Sequence, residues 1–173
     1  MDGLAYLAAL TKVYEMLQEF NPWLVGSGTD FFVNFLLDGI NDELNPPPDD
    51  IDLIIPKGYE DHPDLLNTIP NDHTFTSMGG YRFKVNGVQI DLWFDNVDQY
   101  IIEVPTAVEG IAINLATGAR LCSHDYLTAS LLARFNNLDV KECNYIIESR
   151  PVRKANPERF QKYLEEKCLQ NGN

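Results

Sequence analysis

A chain of 173 residues that is 45% hydrophobic and 11% aromatic can bury one core, and its length argues for a single domain rather than two. The formal charge of −13, from 26 acidic against 13 basic side chains, repels polyanions and removes most of the counterion-release energy behind general nucleic-acid binding, so no long DNA or RNA partner is expected. A small anionic ligand stays compatible where bound Mg²⁺ carries the compensating charge, because a local metal inverts the sign of an acidic pocket.

From Gly3 to Phe20 the residues Leu4, Leu7, Leu10, Tyr14 and Leu17 recur at the spacing of one helical face, and Pro22 is expected to close that helix. Asp2, Lys12, Glu15 and Glu19 interrupt the same stretch, so neither a signal peptide nor a membrane span is expected there. Trp23-Leu24-Val25 is a short apolar run. It ends in Gly26-Ser27-Gly28-Thr29, after which Phe31, Phe32, Phe35 and Leu36 resume helical spacing: strand, tight turn, helix. Gly39 to Pro48, with three consecutive prolines, reads as an exposed loop.

Ile51 to Ile55 reads as a strand entered through Asp49-Asp50, with a short helix expected around Asp64-Leu65-Leu66. Tyr81 to Val85 and Val88 to Phe94 flank Asn86-Gly87, the dipeptide that best accepts the two positive φ angles of a type I′ turn, which predicts a hairpin. Gly110 to Leu115 and Arg120-Leu121-Cys122, joined at Thr117-Gly118, suggest a second antiparallel pair. Helices are expected near Tyr126 to Phe135, Val140 to Glu148 and Pro157 to Cys168, with Pro157 suited to a first turn. Cys122, Cys143 and Cys168 form no C-x-x-C pair and are odd in number, so reduced thiols in a soluble, cytoplasmic protein are expected. Cys122 reads as a small buried hydrophobe, and His62, His73 and His124 lack metal-ligand spacing.

Side chains alternate faces along a strand, so Asp50 and Asp52 point the same way. Asp91 is the charged residue inside the apolar strand from Val88 to Phe94, and it joins the pair if the two strands are neighbours. Three converging carboxylates are costly unless divalent cations sit between them; a two-metal site, with ions about 3.5 to 4 Å apart, resolves that cost and serves phosphoryl transfer. Gly26-Ser27-Gly28 opens a helix, so its backbone N–H groups and the helix dipole suit a phosphate. Arg82 and Lys84 alternate with Tyr81 and Phe83, giving the hairpin one cationic face that can meet a triphosphate or simply solvent; Arg120 has a similar claim. Trp93 and Phe94 read as core or interface residues flanking Asp91, with a ring near the site able to stack on a base.

Val25-Gly26-Ser27, Asp50-Ile51-Asp52-Leu53 and Ile90-Asp91-Leu92, in that order, resemble the signature of the nucleotidyltransferases related to DNA polymerase beta. Within that superfamily the chain is most similar to the head domains of bacterial poly(A) polymerases and CCA-adding enzymes, over roughly residues 23 to 125, with Ala107 to Cys122 resembling their Thr-Gly strand pair. The resemblance implies an α+β domain, a small mixed or antiparallel twisted sheet flanked by helices, spanning 1–125, with a helical C-terminal extension over 126–173 packed on it. It also implies that Asp50 and Asp52 bind two Mg²⁺ or Mn²⁺ ions, and that Asp91 completes the ion nearer the acceptor and helps deprotonate its hydroxyl. Ser27, with neighbouring N–H groups such as those of Gly26 and Gly28, then holds NTP phosphates such as those of ATP; Arg82, from its place on the cationic face of the hairpin, is a further candidate for binding the nucleotide. Thr29-Asp30-Phe31 and Pro105-Thr106-Ala107 stand where the tailing enzymes carry basic residues, so tRNA tailing is not expected; the acidic surface favours a hydroxyl of a small molecule or a protein as acceptor, with a short RNA end still open. A scaffold without turnover, acting as an acidic binding or inhibitory module on a protein partner, is the alternative reading.

Overall fold

The computed structural model describes residues 1–56, 58–76, 79–95 and 120–121, together with 153, 155–156, 158–159, 162–163 and 165–166. Helix α1 runs over Gly3–Leu17, capped by Asp2, whose carboxylate accepts the Ala5 N–H. The chain tightens into a 3₁₀ turn, Gln18–Phe20, and the left-handed Asn21 (φ 53°) ends it one residue before the expected stop at Pro22. Strand β1 (Trp23–Val25) leads into α2 (Ser27–Asp38). The turn between them is Gly26 alone, so α2 starts four residues earlier than the apolar spacing resumes. Strand β2 is Asp50–Pro56 and α3 is Pro63–Thr68, with His62 as N-cap accepting the Asp64 N–H. A two-residue strand, β3 (Thr74–Phe75), precedes the hairpin β4 (Tyr81–Val85) and β5 (Val88–Asp95). Asn86 and Gly87 take φ of 51° and 80°, as the type I′ turn requires. Arg120–Leu121 forms β6.

The strands make one mixed sheet in the order β3-β4-β5-β2-β1-β6. β2 and β5 are parallel, as are β1 and β6; the other neighbours are antiparallel. Alternation sorts the two faces. Ile51, Leu53, Ile55, Ile90, Leu92, Tyr81, Phe83 and Val85 are buried on one face with residues of α1 and α2, among them Tyr6, Leu10, Leu17, Phe31 and Phe32. The architecture is thus a small α+β domain with a mixed sheet flanked by helices. The expected strand at 110–115 and the helices at 126–135 and 140–148 lie outside the described residues, as do the three cysteines, His124 and the side chain of Arg120. Within the expected helix at 157–168, Glu158, Arg159, Lys162, Tyr163, Glu165 and Glu166 are helical.

α2 carries a polar stripe at four-residue steps, Asp30, Asn34 and Asp38, and it receives the C-terminal segment. The Asp30 carboxylate accepts the Ala155 N–H at 2.8 Å, and the Asn34 amide donates to the Arg153 carbonyl at 2.9 Å. Arg153 and Arg159 both donate to the Asp38 carboxylate, while Ala155 and Tyr163 pack against the core.

The Arg159 hydrogen bond foremost, with that from Arg153 and both positive charges, holds Asp38 below its ordinary value against an opposing desolvation. A carboxylate depressed in the folded state stabilises the fold above its unfolded pKa, and that contribution fades as pH falls through the folded value, here below about pH 4. Asp38→Asn is therefore expected to lower the urea midpoint at pH 7. The gap from wild type should narrow as the pH is taken below 3; an equal gap at both pH values would show that these ion pairs contribute nothing.

Candidate active site

Strand register gathers the acidic residues. Asp52 of β2 is paired with Asp91 of β5, Asp91 with Arg82 of β4, and Arg82 with Thr74 of β3. On the other side Asp52 is paired with Val25, the last residue of β1. One row therefore crosses five strands on the face opposite the core, and it ends where Gly26 turns into α2. Asp50, paired with Gln89, lies one step along the same face. Asp50, Asp52 and Asp91 each bring a carboxylate oxygen to within 4.8 Å of the others; Asp91 is buried and the other two are partly so.

Four hydrogen bonds hold this geometry. Arg82 grips Asp91 with two parallel bonds, Nε to Oδ1 at 2.8 Å and Nη2 to Oδ2 at 2.6 Å, the bidentate form that fixes a carboxylate in rotation as well as position. The Asp91 hydrogen bond, ahead of the opposing desolvation and the charges of Asp91, Asp50 and Asp52, raises the Arg82 pKa further. The Trp93 indole N–H donates to Asp52 at 3.2 Å. Below β2, the Tyr6 hydroxyl donates to the Asp50 carbonyl at 3.1 Å. Burial first, then the negative charges of Asp52 and Asp50, push the Tyr6 phenol well above its ordinary value, so it remains a proton donor.

Gly26 is required at its position. Its φ is +69°, and a Cβ there would lie 2.8 Å from Asp52 Oδ2, so only glycine lets the turn approach the carboxylate so closely. The same approach sets Asp52 beside the positive end of α2, which no side chain caps. Gly28 faces inward, where a Cβ would meet the Tyr6 hydroxyl at 2.6 Å. Next to the acidic row, Trp23, Ile54 and Trp93 form an apolar row on the same face, all buried.

The donor set is all oxygen, which suits a hard divalent cation such as Mg²⁺, Mn²⁺ or Ca²⁺. Two ligands on opposite sides of Mg²⁺ stand about 4.2 Å apart, given bonds of roughly 2.1 Å, so a spread of 4.8 Å closes with small carboxylate rotations. The three carboxylates form a cluster capable of coordinating a divalent cation once those rotations are made. No helix among the described residues is long and apolar enough to cross a membrane.

Of the residues singled out in the sequence, the structure brings together Asp50, Asp52, Asp91, Arg82 and the Gly26 turn. Trp93 and Tyr6 as supports of Asp52 and Asp50 were not legible as such. Trp93 lies two residues from Asp91 on the same face, which was the available signal; Tyr6 gave none. No protein-family model matches the chain, and no curated protein matches it.

Proposed function

We propose that the chain is a metal-dependent nucleotidyltransferase of the DNA polymerase beta-like kind, moving a nucleoside monophosphate from an NTP to a hydroxyl of a small-molecule, protein or short RNA acceptor. The observation that supports it is the acidic row on adjacent strands, ending at a glycine turn that opens a helix. Asp50, Asp52 and Asp91 would hold two Mg²⁺ or Mn²⁺ ions, which when bound supply charge neutralisation on the phosphates and acidify the acceptor hydroxyl.

The chain's own residues supply orientation and proton transfer. The N–H groups from Gly26 to Gly28, at the positive end of α2, receive the β- and γ-phosphates. Asp91, held by Arg82, takes the proton from the acceptor hydroxyl. The hydroxyl oxygen bonds to the α-phosphorus as the bond to the bridging oxygen breaks, and pyrophosphate leaves. Trp93 keeps Asp52 turned towards the same point. One observation favours the second reading, a binding or inhibitory module without turnover: Arg82 engages both oxygens of Asp91, so an ion must share or displace it.

Thermal unfolding of wild type and of Asp50→Asn/Asp52→Asn with each of the four NTPs, with and without Mg²⁺ or Mn²⁺, tests the reading. A ligand at about one hundred times its dissociation constant stabilises the fold by roughly 2.7 kcal/mol, a rise of about 5 to 11 °C for a chain of this size. The expected result is a metal-dependent rise in wild type that the double variant lacks, each compared with its own ligand-free form. No rise with any NTP would sink the transferase reading in favour of the binding module.

A further inference from the structure

Lys12, Lys57, Arg82 and Lys84 are the only basic residues in positions 1–95, a stretch that otherwise supplies much of the acidity of the chain. Two of them, Arg82 and Lys84, stand side by side on the open face of β4, because Tyr81, Phe83 and Val85 take the core face. They line an open groove of about 370 Å³ with Asp72, Thr74, Phe83 and Gln89. That volume falls at the small-metabolite end of ligand sites.

The groove lies on the β4 side of the acidic row, while the Gly26 turn lies on its β1 side. Arg82 belongs to both regions, since it lines the groove and grips Asp91. Lys84 is exposed and has no ion-pair partner among the described residues. In the register, Lys84 is paired with Gln89, and Gln89 with Asp50, so Lys84 stands beside the acidic centre without being taken up by it. In a chain of charge −13, an ammonium with no ion-pair partner among the described residues is a local reversal of sign. Thr74, Gln89 and Asp72 add an alcohol, an amide and a carboxylate, a set that accepts and donates hydrogen bonds to hydroxyl groups.

We infer that this groove is the acceptor site and takes a small phosphate monoester that also carries free hydroxyls, its phosphate on Lys84 and the outer edge of Arg82, its hydroxyls towards Asp91. The inference rests on the transferase reading, whose donor phosphates occupy the Gly26 end. A phosphate on Lys84 leaves the ester's hydroxyls directed along β4 to the row that contains Asp91. Asp72, also in the lining, offsets part of the positive charge of the groove and so favours a monoester over a more highly charged polyphosphate.

Ribose 5-phosphate, ribose and inorganic phosphate serve as probes, titrated by isothermal calorimetry into wild type, Lys84→Ala and Lys84→Arg without metal, alongside the NTP thermal shift of each protein. Lys84 is exposed, so both variants fold. Ribose 5-phosphate is expected to bind wild type more tightly than inorganic phosphate, with ribose not binding, and its dissociation constant should rise roughly tenfold in Lys84→Ala and recover in Lys84→Arg. The NTP shift should be the same in all three proteins. Equal ribose 5-phosphate affinity in wild type and Lys84→Ala would overturn the inference. So would an NTP shift lost in Lys84→Ala, since that would assign Lys84 to the donor. Failure of the underlying reading looks different: the NTP shift is then missing from wild type itself.

Discussion

Asp91→Asn is expected to lower kcat/KM for nucleotidyl transfer by at least about a hundredfold to a thousandfold, the size seen when one preorganised charge-stabilising group is removed from a reacting centre. Asparagine keeps the shape of the side chain and so keeps β5 in place, but it carries no charge for a cation and takes no proton from the acceptor. The effect should fall on kcat more than on KM, because the Gly26 turn that receives the donor phosphates is untouched. The fold should survive: Arg82, left without its partner, is 45% exposed and turns to water. Single-turnover transfer by the variant and wild type measures the drop. An Asp91→Asn protein as fast as wild type would remove Asp91 from the chemistry and leave it as an anchor for Arg82.

Gly80→Ala is expected to be the most damaging single methyl in the described sheet. A Cβ on Gly80 would stand 2.0 Å from the Leu92 carbonyl oxygen and 3.2 Å from Thr76 Oγ1. Neither neighbour can yield freely. Leu92 lies in β5 paired with Tyr81, and Thr76 is tied to Gly80 twice, its N–H donating to the Gly80 carbonyl and its hydroxyl accepting the Gly80 N–H, both at 2.8 Å. The overlap must therefore open the start of the hairpin that carries Arg82 and Asp91. A cost of about 3 kcal/mol or more follows, a large share of a typical 5 to 15, with a fall in Tm of roughly 6 to 12 °C. Gly79→Ala is the control. Nothing lies within 4 Å of its Cβ position, so only the left-handed φ of +85° resists, at about 1 kcal/mol. Urea midpoints of the two variants should separate clearly; equal midpoints would mean that the sheet accommodates the methyl by moving β4 as a whole.

The hairpin was the most legible element, because Asn86-Gly87 sets both the turn and the register. A two-residue loop pairs Val85 with Val88, and counting outward pairs Arg82 with Asp91, so the ion pair at the centre of the site was already implied by the loop length. The same logic does not reach β2. Asp50 and Asp52 could be assigned to one face from alternation, yet their meeting with Asp91 depends on a parallel pairing between distant strands, and periodicity carries no information about which strands become neighbours. β3 was missed because two residues show no period. Gly26 was recognised as a turn, but its sufficiency as the whole turn depends on a φ of +69° that only the structure reveals. Asp30, Asn34 and Asp38 stand at four-residue steps on α2, but that they receive Arg153, Ala155 and Arg159 is a long-range fact that spacing does not carry.

The two strands bearing the acidic row are joined in very different ways to their neighbours, and this bears on how the chain assembles. β4 and β5 close through a two-residue loop, an event on the order of microseconds. β2 reaches β5 only across α3, β3 and β4, with the larger loop entropy of a parallel ladder. Arg82 is thus positioned to find Asp91 locally, ahead of Asp52. On contact order alone the Arg82–Asp91 pair is expected to form first, so that β2, carrying Asp50 and Asp52, docks beside an acid already matched by a guanidinium.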